Sequence, residues 1–168
     1  MDNKKLPSST KMWTKLAGKR ILLPPIFILS YLLMLLVPFN LDQHNGWFVL
    51  LGRFHPLVLH FPIVLILITT GFLLMGFINT NFNKPVIIRF LLWVSVLFSF
   101  VSILAGYLLY ISESYSGNLV SNHFYGALAT GIAITLCLII YELNIQRNLK
   151  VGFVFYFLLI LANFSLAY

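Results

Sequence analysis

The sequence predicts an all-α integral membrane protein, a small bundle of about five transmembrane helices. Composition is the first reason: 60% of the residues are hydrophobic and only 9% are charged. Mean hydropathy is +0.95, a balance that a soluble domain of this size could not keep in solution. The second is the length of the apolar runs, because a hydrocarbon core about 30 Å thick needs roughly 20 apolar residues as helix. The third is their texture. A transmembrane β-barrel shows segments of about 10 residues with alternating polarity, and these continuous runs do not alternate.

Residues 1–20 form a polar, basic tail containing Lys4, Lys5, Lys11, Lys15, Lys19 and Arg20. The first span is expected from Ile21 to Phe39. It is full length, contains Pro24-Pro25 and ends in Pro38-Phe39-Asn40-Leu41-Asp42 without a small-x-small cleavage site, so it reads as a retained signal anchor. No lipidation motif accompanies it. The second span, Leu57 to Ile78, follows Pro56, a residue suited to a first helical turn. The third runs from Val86 to Ile111, the fourth from Phe124 to Leu143 and the fifth from Val151 to Tyr168. Short links join them, no internal repeat emerges, and residues 21–168 read as one transmembrane domain.

Orientation follows from Lys and Arg in the short links, which stay on the cytoplasmic side during insertion. The tail, Lys84, Arg89, Arg147 and Lys150 fall on one side, and only Arg53 on the other. The expected topology is N-terminus inside and C-terminus outside. The net charge of +7 is then a matter of topology and of contact with anionic lipid, not of nucleic-acid recognition.

With that topology all four histidines lie on the outer side. His44 sits in a polar loop with Asn40, Asp42, Gln43 and Asn45 and reads as a solvated residue. His55 and His60 fall at the start of the second helix and His123 at the start of the fourth. Polar groups at a membrane boundary are functional suspects by default. Neutral imidazoles from two helices can clamp a haem, and His60 with His123 is the expected axial pair. The haem would be b-type, because covalent attachment needs C-x-x-C-H and the single cysteine, Cys137, lies within the fourth span. Arg53 could fork onto a haem propionate or another anionic group, or snorkel to lipid phosphates. His55 precedes Pro56, which biases it away from helical geometry. It is offset from His60 by about 140° around a helix, so a shared His55, His60 and His123 metal site would need local distortion.

Gly126, Thr130, Ala133 and Cys137 form one small-residue stripe, and Ser95, Ser99, Ser102 and Gly106 another. Close helix packing is their ordinary use; a cofactor wall is the alternative. Tyr107, Tyr110, Tyr115, Tyr125 and Trp47 read as an interfacial aromatic belt. Asp2, Asp42, Glu113 and Glu142 read as residues of tails or loop flanks, so no paired-carboxylate site is expected. No phosphate loop or activated nucleophile is present either, and the chain is not expected to be an enzyme on its own.

The stretch Gly52 to Pro62, followed by Gly106-Tyr107-Leu108-Leu109 and His123-Phe124-Tyr125-Gly126, resembles a bacterial membrane-domain family of unknown function with an HPLxxHFP-type motif. His55, His60 and His123 stand at its motif positions. That resemblance implies association with c-type cytochrome modules and a haem-binding or redox role. The leading expectation is therefore a membrane redox subunit relaying electrons between the quinone pool and outer cytochromes. A cofactor-free anchor or assembly subunit of a larger complex is the second, and a small transporter or permease the third.

Overall fold

The computed structural model describes residues 23–36, 46–79, 85–112 and 117–147. Those residues form five helical segments: α1 (Pro24–Leu36), α2 (Gly46–Gly52), α3 (His55–Ile78), α4 (Pro85–Ser112) and α5 (Asn118–Arg147). Three stretches are long and apolar enough to cross a membrane, Gly46–Gly76, Pro85–Ser112 and Asn118–Leu143, while α1 is a shorter apolar helix. The expected fifth span, the basic tail and His44 lie outside the described residues.

Two boundaries differ from expectation. The second apolar stretch begins well before Leu57, because α2 runs almost directly into α3. Across the two-residue joint, the Arg53 N–H bonds the Val49 carbonyl, the Phe54 N–H bonds the Leu51 carbonyl and the Val58 N–H bonds the Phe54 carbonyl. Likewise α5 starts at Asn118 and not near Phe124. Its first turn is polar, with Asn118, Ser121 and Asn122, and hydropathy alone hides such a turn. His123 consequently sits inside the helix.

In hydrocarbon every polar group must find its partner within the protein. Hydroxyls therefore bond back to their own helices: Thr69 to the Leu65 carbonyl, Thr70 to Ile66, Ser95 to Leu91 and Thr130 to Gly126. The Ser95, Ser99 and Ser102 edge and the Thr130, Ala133 and Cys137 edge are buried, as close helix packing requires.

Helix α4 is the shared wall of the bundle, packing against α2, α3 and α5, while α1 packs on α5. One core cluster joins Ile66 of α3, Ile88, Leu92 and Val96 of α4, and Ile134 and Leu138 of α5. A second gathers Tyr31, Ile103 and Leu128, with Phe27 meeting Phe100 edge-on at 5.2 Å. The α2–α4 contact is so close that a Cβ on Gly52 would fall 2.7 Å from the Leu109 Cβ and 2.9 Å from Leu109 backbone atoms. Backbone cannot swing aside as a flexible side chain can.

Glu142 corrects the expectation that the acidic residues occupy loop flanks. Its side chain is fully buried. Arg89 donates Nε to Oε1 at 2.7 Å and Nη2 to Oε2 at 2.6 Å, a two-point fork, and the Trp93 indole N–H adds a third bond to Oε1 at 3.0 Å. Arg89, counted by sequence as a loop charge, is thus an internal partner joining α4 to α5. Tyr141 adds a bond from its hydroxyl to the Pro85 carbonyl at the same end.

Gly52→Ala should destabilise the protein by about 1–3 kcal/mol through overpacking, whereas Gly126→Ala, where a Cβ meets nothing within 4 Å, should be neutral or slightly stabilising; thermal unfolding in detergent compares them. Glu142→Ala, which strands the Arg89 charge, should cost about 3–5 kcal/mol, and the double change Arg89→Met with Glu142→Leu should recover most of it. Denaturant unfolding of all three proteins provides the check, and equal losses in single and double variants would refute the pairing.

Candidate functional site

At the end of the bundle away from Glu142, α3 begins with His55-Pro56. The proline fits an opening turn, where its missing N–H costs nothing. This leaves His55 as the first helical residue, half-buried against α4. Its Nδ1 lies 2.8 Å from the Ser102 carbonyl oxygen and 3.4 Å from Ser102 Oγ. A carbonyl can only accept, so Nδ1 carries the hydrogen, and in the neutral imidazole Nε2 keeps its lone pair. Gly106 provides the shelf: a Cβ there would come within 3.0 Å of both Cε1 and Nδ1.

His123 of α5 meets this ring. The two ring centroids are 6.2 Å apart, with the planes at 81°. His123 is exposed on α5.

His60 takes a different position from the one expected. It is exposed on α3, and its Nδ1 bonds the Pro56 carbonyl of its own helix at 2.7 Å. Five residues turn it away from His55 by about 140°. Thus His55 is the histidine brought to His123 in ring contact, and among the described residues no group of three or more His, Cys, Asp or Glu is placed to hold a metal ion. Matching depth along two helices did not fix which face each histidine occupies. Arg53 lies exposed in the α2–α3 joint, two residues before His55.

Sequence reading missed the aromatic wall beside the pair. Tyr107 is buried, and both it and Tyr110 stack on Phe124, with centroids 5.9 and 5.4 Å away. These tyrosines knit α4 to α5 instead of only marking a membrane boundary. Their i, i+3 spacing on one helix, with Phe124 next to His123, was the available signal.

As donors, this end of the bundle offers two imidazoles from separate helices. Ligating histidines commonly donate their other ring N–H to a backbone carbonyl, as His55 does to Ser102. A haem at this end would take its imidazoles from the two rings that meet here and would supply one-electron chemistry at iron. His55 and His123 would be the holders. The same geometry also suits a cofactor-free pair whose rings pack edge to face.

No family model matches the chain, nor does any curated protein or solved structure.

Gly106→Ala should displace the His55 ring and weaken its bond to Ser102, moving the His55 ring nitrogen resonances in ¹⁵N spectra. Histidine 60 provides the control, since His60→Ala should alter stability by less than about 0.5 kcal/mol, as exposed positions usually do, and leave the His55 signals in place.

Proposed function

We propose that this chain is a membrane electron-transfer subunit in which His55 and His123 hold a b-type haem. The observation that carries the reading is the meeting of these two rings with the His55 Nδ1–H committed to a helix carbonyl, which leaves Nε2 as a ligand atom. Bound there, haem supplies reversible one-electron chemistry at iron. The protein's own part is to fix the His55 tautomer through Ser102, to seat its ring on Gly106 and to join α4 to α5 by the stack of Tyr107 and Tyr110 on Phe124. Arg53, two residues before His55, is suited to a propionate.

The wider setting belongs to the same proposal. In this proposal the chain has five spans with its N-terminus inside, and the histidine pair works at the outer face of a bacterial cytoplasmic membrane, between the quinone pool and an outer c-type cytochrome. The basic-residue asymmetry supports that orientation.

A second reading, a cofactor-free anchor or assembly subunit, draws on one observation: the His55 and His60 Nδ1 atoms are both satisfied by backbone carbonyls, the bonding expected of histidines that merely secure helix ends. Transport has less support. The buried carboxylate of Glu142 already has both oxygens engaged by Arg89 and Trp93, so it presents no open ion site.

A reduced-minus-oxidised spectrum of the detergent-purified protein, with pyridine haemochrome quantification, tests the proposal. Stoichiometric b-type haem is expected in the wild type, lost in His55→Ala and His123→Ala and retained in His60→Ala. A folded protein blank after haem supplementation would leave the anchor reading, and loss only in His60→Ala would return the ligand role to that residue.

A further inference from the structure

An open groove of about 280 Å³ lies between α1 and α4, lined by Leu23 and Phe27 on one side and by Phe90, Trp93, Val94 and Leu97 on the other. Spacings of three, four and seven residues put each set on one helix face. The two helices touch farther from their starts, where Phe27 and Tyr31 meet Phe100. The groove therefore belongs to the end of the bundle that carries Arg89 and Glu142. Its lining presents hydrocarbon only. The single polar side-chain atom among the six residues, the Trp93 indole nitrogen, gives its hydrogen to Glu142 at 3.0 Å. Helix α4 has 28 residues against the roughly 20 that cross hydrocarbon. With α4 centred in the bilayer, the groove begins at Phe90, just inside the headgroup boundary, and runs about 10 Å inward.

We infer that this groove seats an acyl chain of an anionic phospholipid, whose headgroup lies at the groove mouth. The lining selects the chain, since a quinone ring or a sugar would bring carbonyls or hydroxyls and find no donor or acceptor there. Charge selects the headgroup. Arg20 and Lys19 stand three and four residues before Leu23. Whatever path the chain takes, they lie within about 11 and 14 Å of that residue, the reach of an extended chain. The buried carboxylate at this end, Glu142, is already neutralised by Arg89, so it does not offset those charges. A phosphate at the mouth thus meets net positive charge, and basic residues beside a gap between membrane helices favour anionic lipid. A zwitterionic headgroup carries its own cation and gains less.

The test uses the full chain in nanodiscs, with Trp13→Phe and Trp47→Phe leaving Trp93 as the sole indole. Phosphatidylglycerol with brominated acyl chains, diluted into unlabelled phosphatidylcholine, should quench Trp93 fluorescence more strongly than brominated phosphatidylcholine at the same mole fraction. Replacing Lys19 and Arg20 by Gln should lower the relative affinity for phosphatidylglycerol by roughly 25-fold, a factor of about five for each charge. Val94→Phe fills the groove and keeps the charges, and it should abolish the preference. Equal quenching by the two lipids would overturn the inference, because the groove would then meet only bulk lipid. Quenching by neither would overturn it too, since something other than lipid would cover the groove. A preference that survives Val94→Phe would assign the lipid to the basic tail alone and overturn the groove. If the tryptophan variants fail to fold, native mass spectra of the wild type decide: phosphatidylglycerol should be retained over phosphatidylcholine, and equal retention overturns the site. The inference stands apart from whatever the histidine pair holds.

Discussion

The bundle turns on a charge that hydrocarbon will not accept alone. Glu142 is fully buried and Arg89 neutralises it with a two-point fork while Trp93 satisfies a remaining lone pair. Such a pair gains little over well-packed apolar residues, but it severely penalises every arrangement that separates its members. Its contribution is to specify register. Of the ways that the apolar faces of α4 and α5 could slide or rotate against each other, few keep that carboxylate covered and bonded.

Fixing one end of an antiparallel helix pair constrains the other. Arg89 and Glu142 join α4 and α5 near the start of one and the end of the other, and at the opposite end the same two helices carry Ser102 and Gly106 on one side and His123 on the other. The stack of Tyr107 and Tyr110 on Phe124 supports that second end. Helix α3 then needs only to lay His55 on the Gly106 shelf to bring the two imidazoles into contact. The site is thus built on helices whose relative placement is set by packing, a sounder foundation than a loop could give.

Much of this was legible in the sequence where a single physical signal dominated. Long apolar runs gave α3 and α4 to within two residues of their ends, and the histidines at the two helix starts do lie at one end of the bundle. What failed were judgements needing rotation or long-range pairing. Depth along a helix favoured His60, but the side of α3 facing α4 belongs to His55. Helix α2, only seven residues long, was hidden beside a polar stretch of sequence. Arg89 and Glu142, separated by 53 positions, each looked like a charge at the edge of its own apolar run, and nothing local in either run marks the other as its partner.

His55 takes its orientation from a main-chain oxygen, and this has an evolutionary reach. Nearly any residue at position 102 would still supply that carbonyl, so the serine hydroxyl there could be lost to drift or design without removing the acceptor that selects the tautomer. The sensitive neighbour is instead Gly106, which offers no chemical group at all. An engineer wishing to retune the polarity around His55 could vary position 102 among small residues, while position 106 has to stay bare.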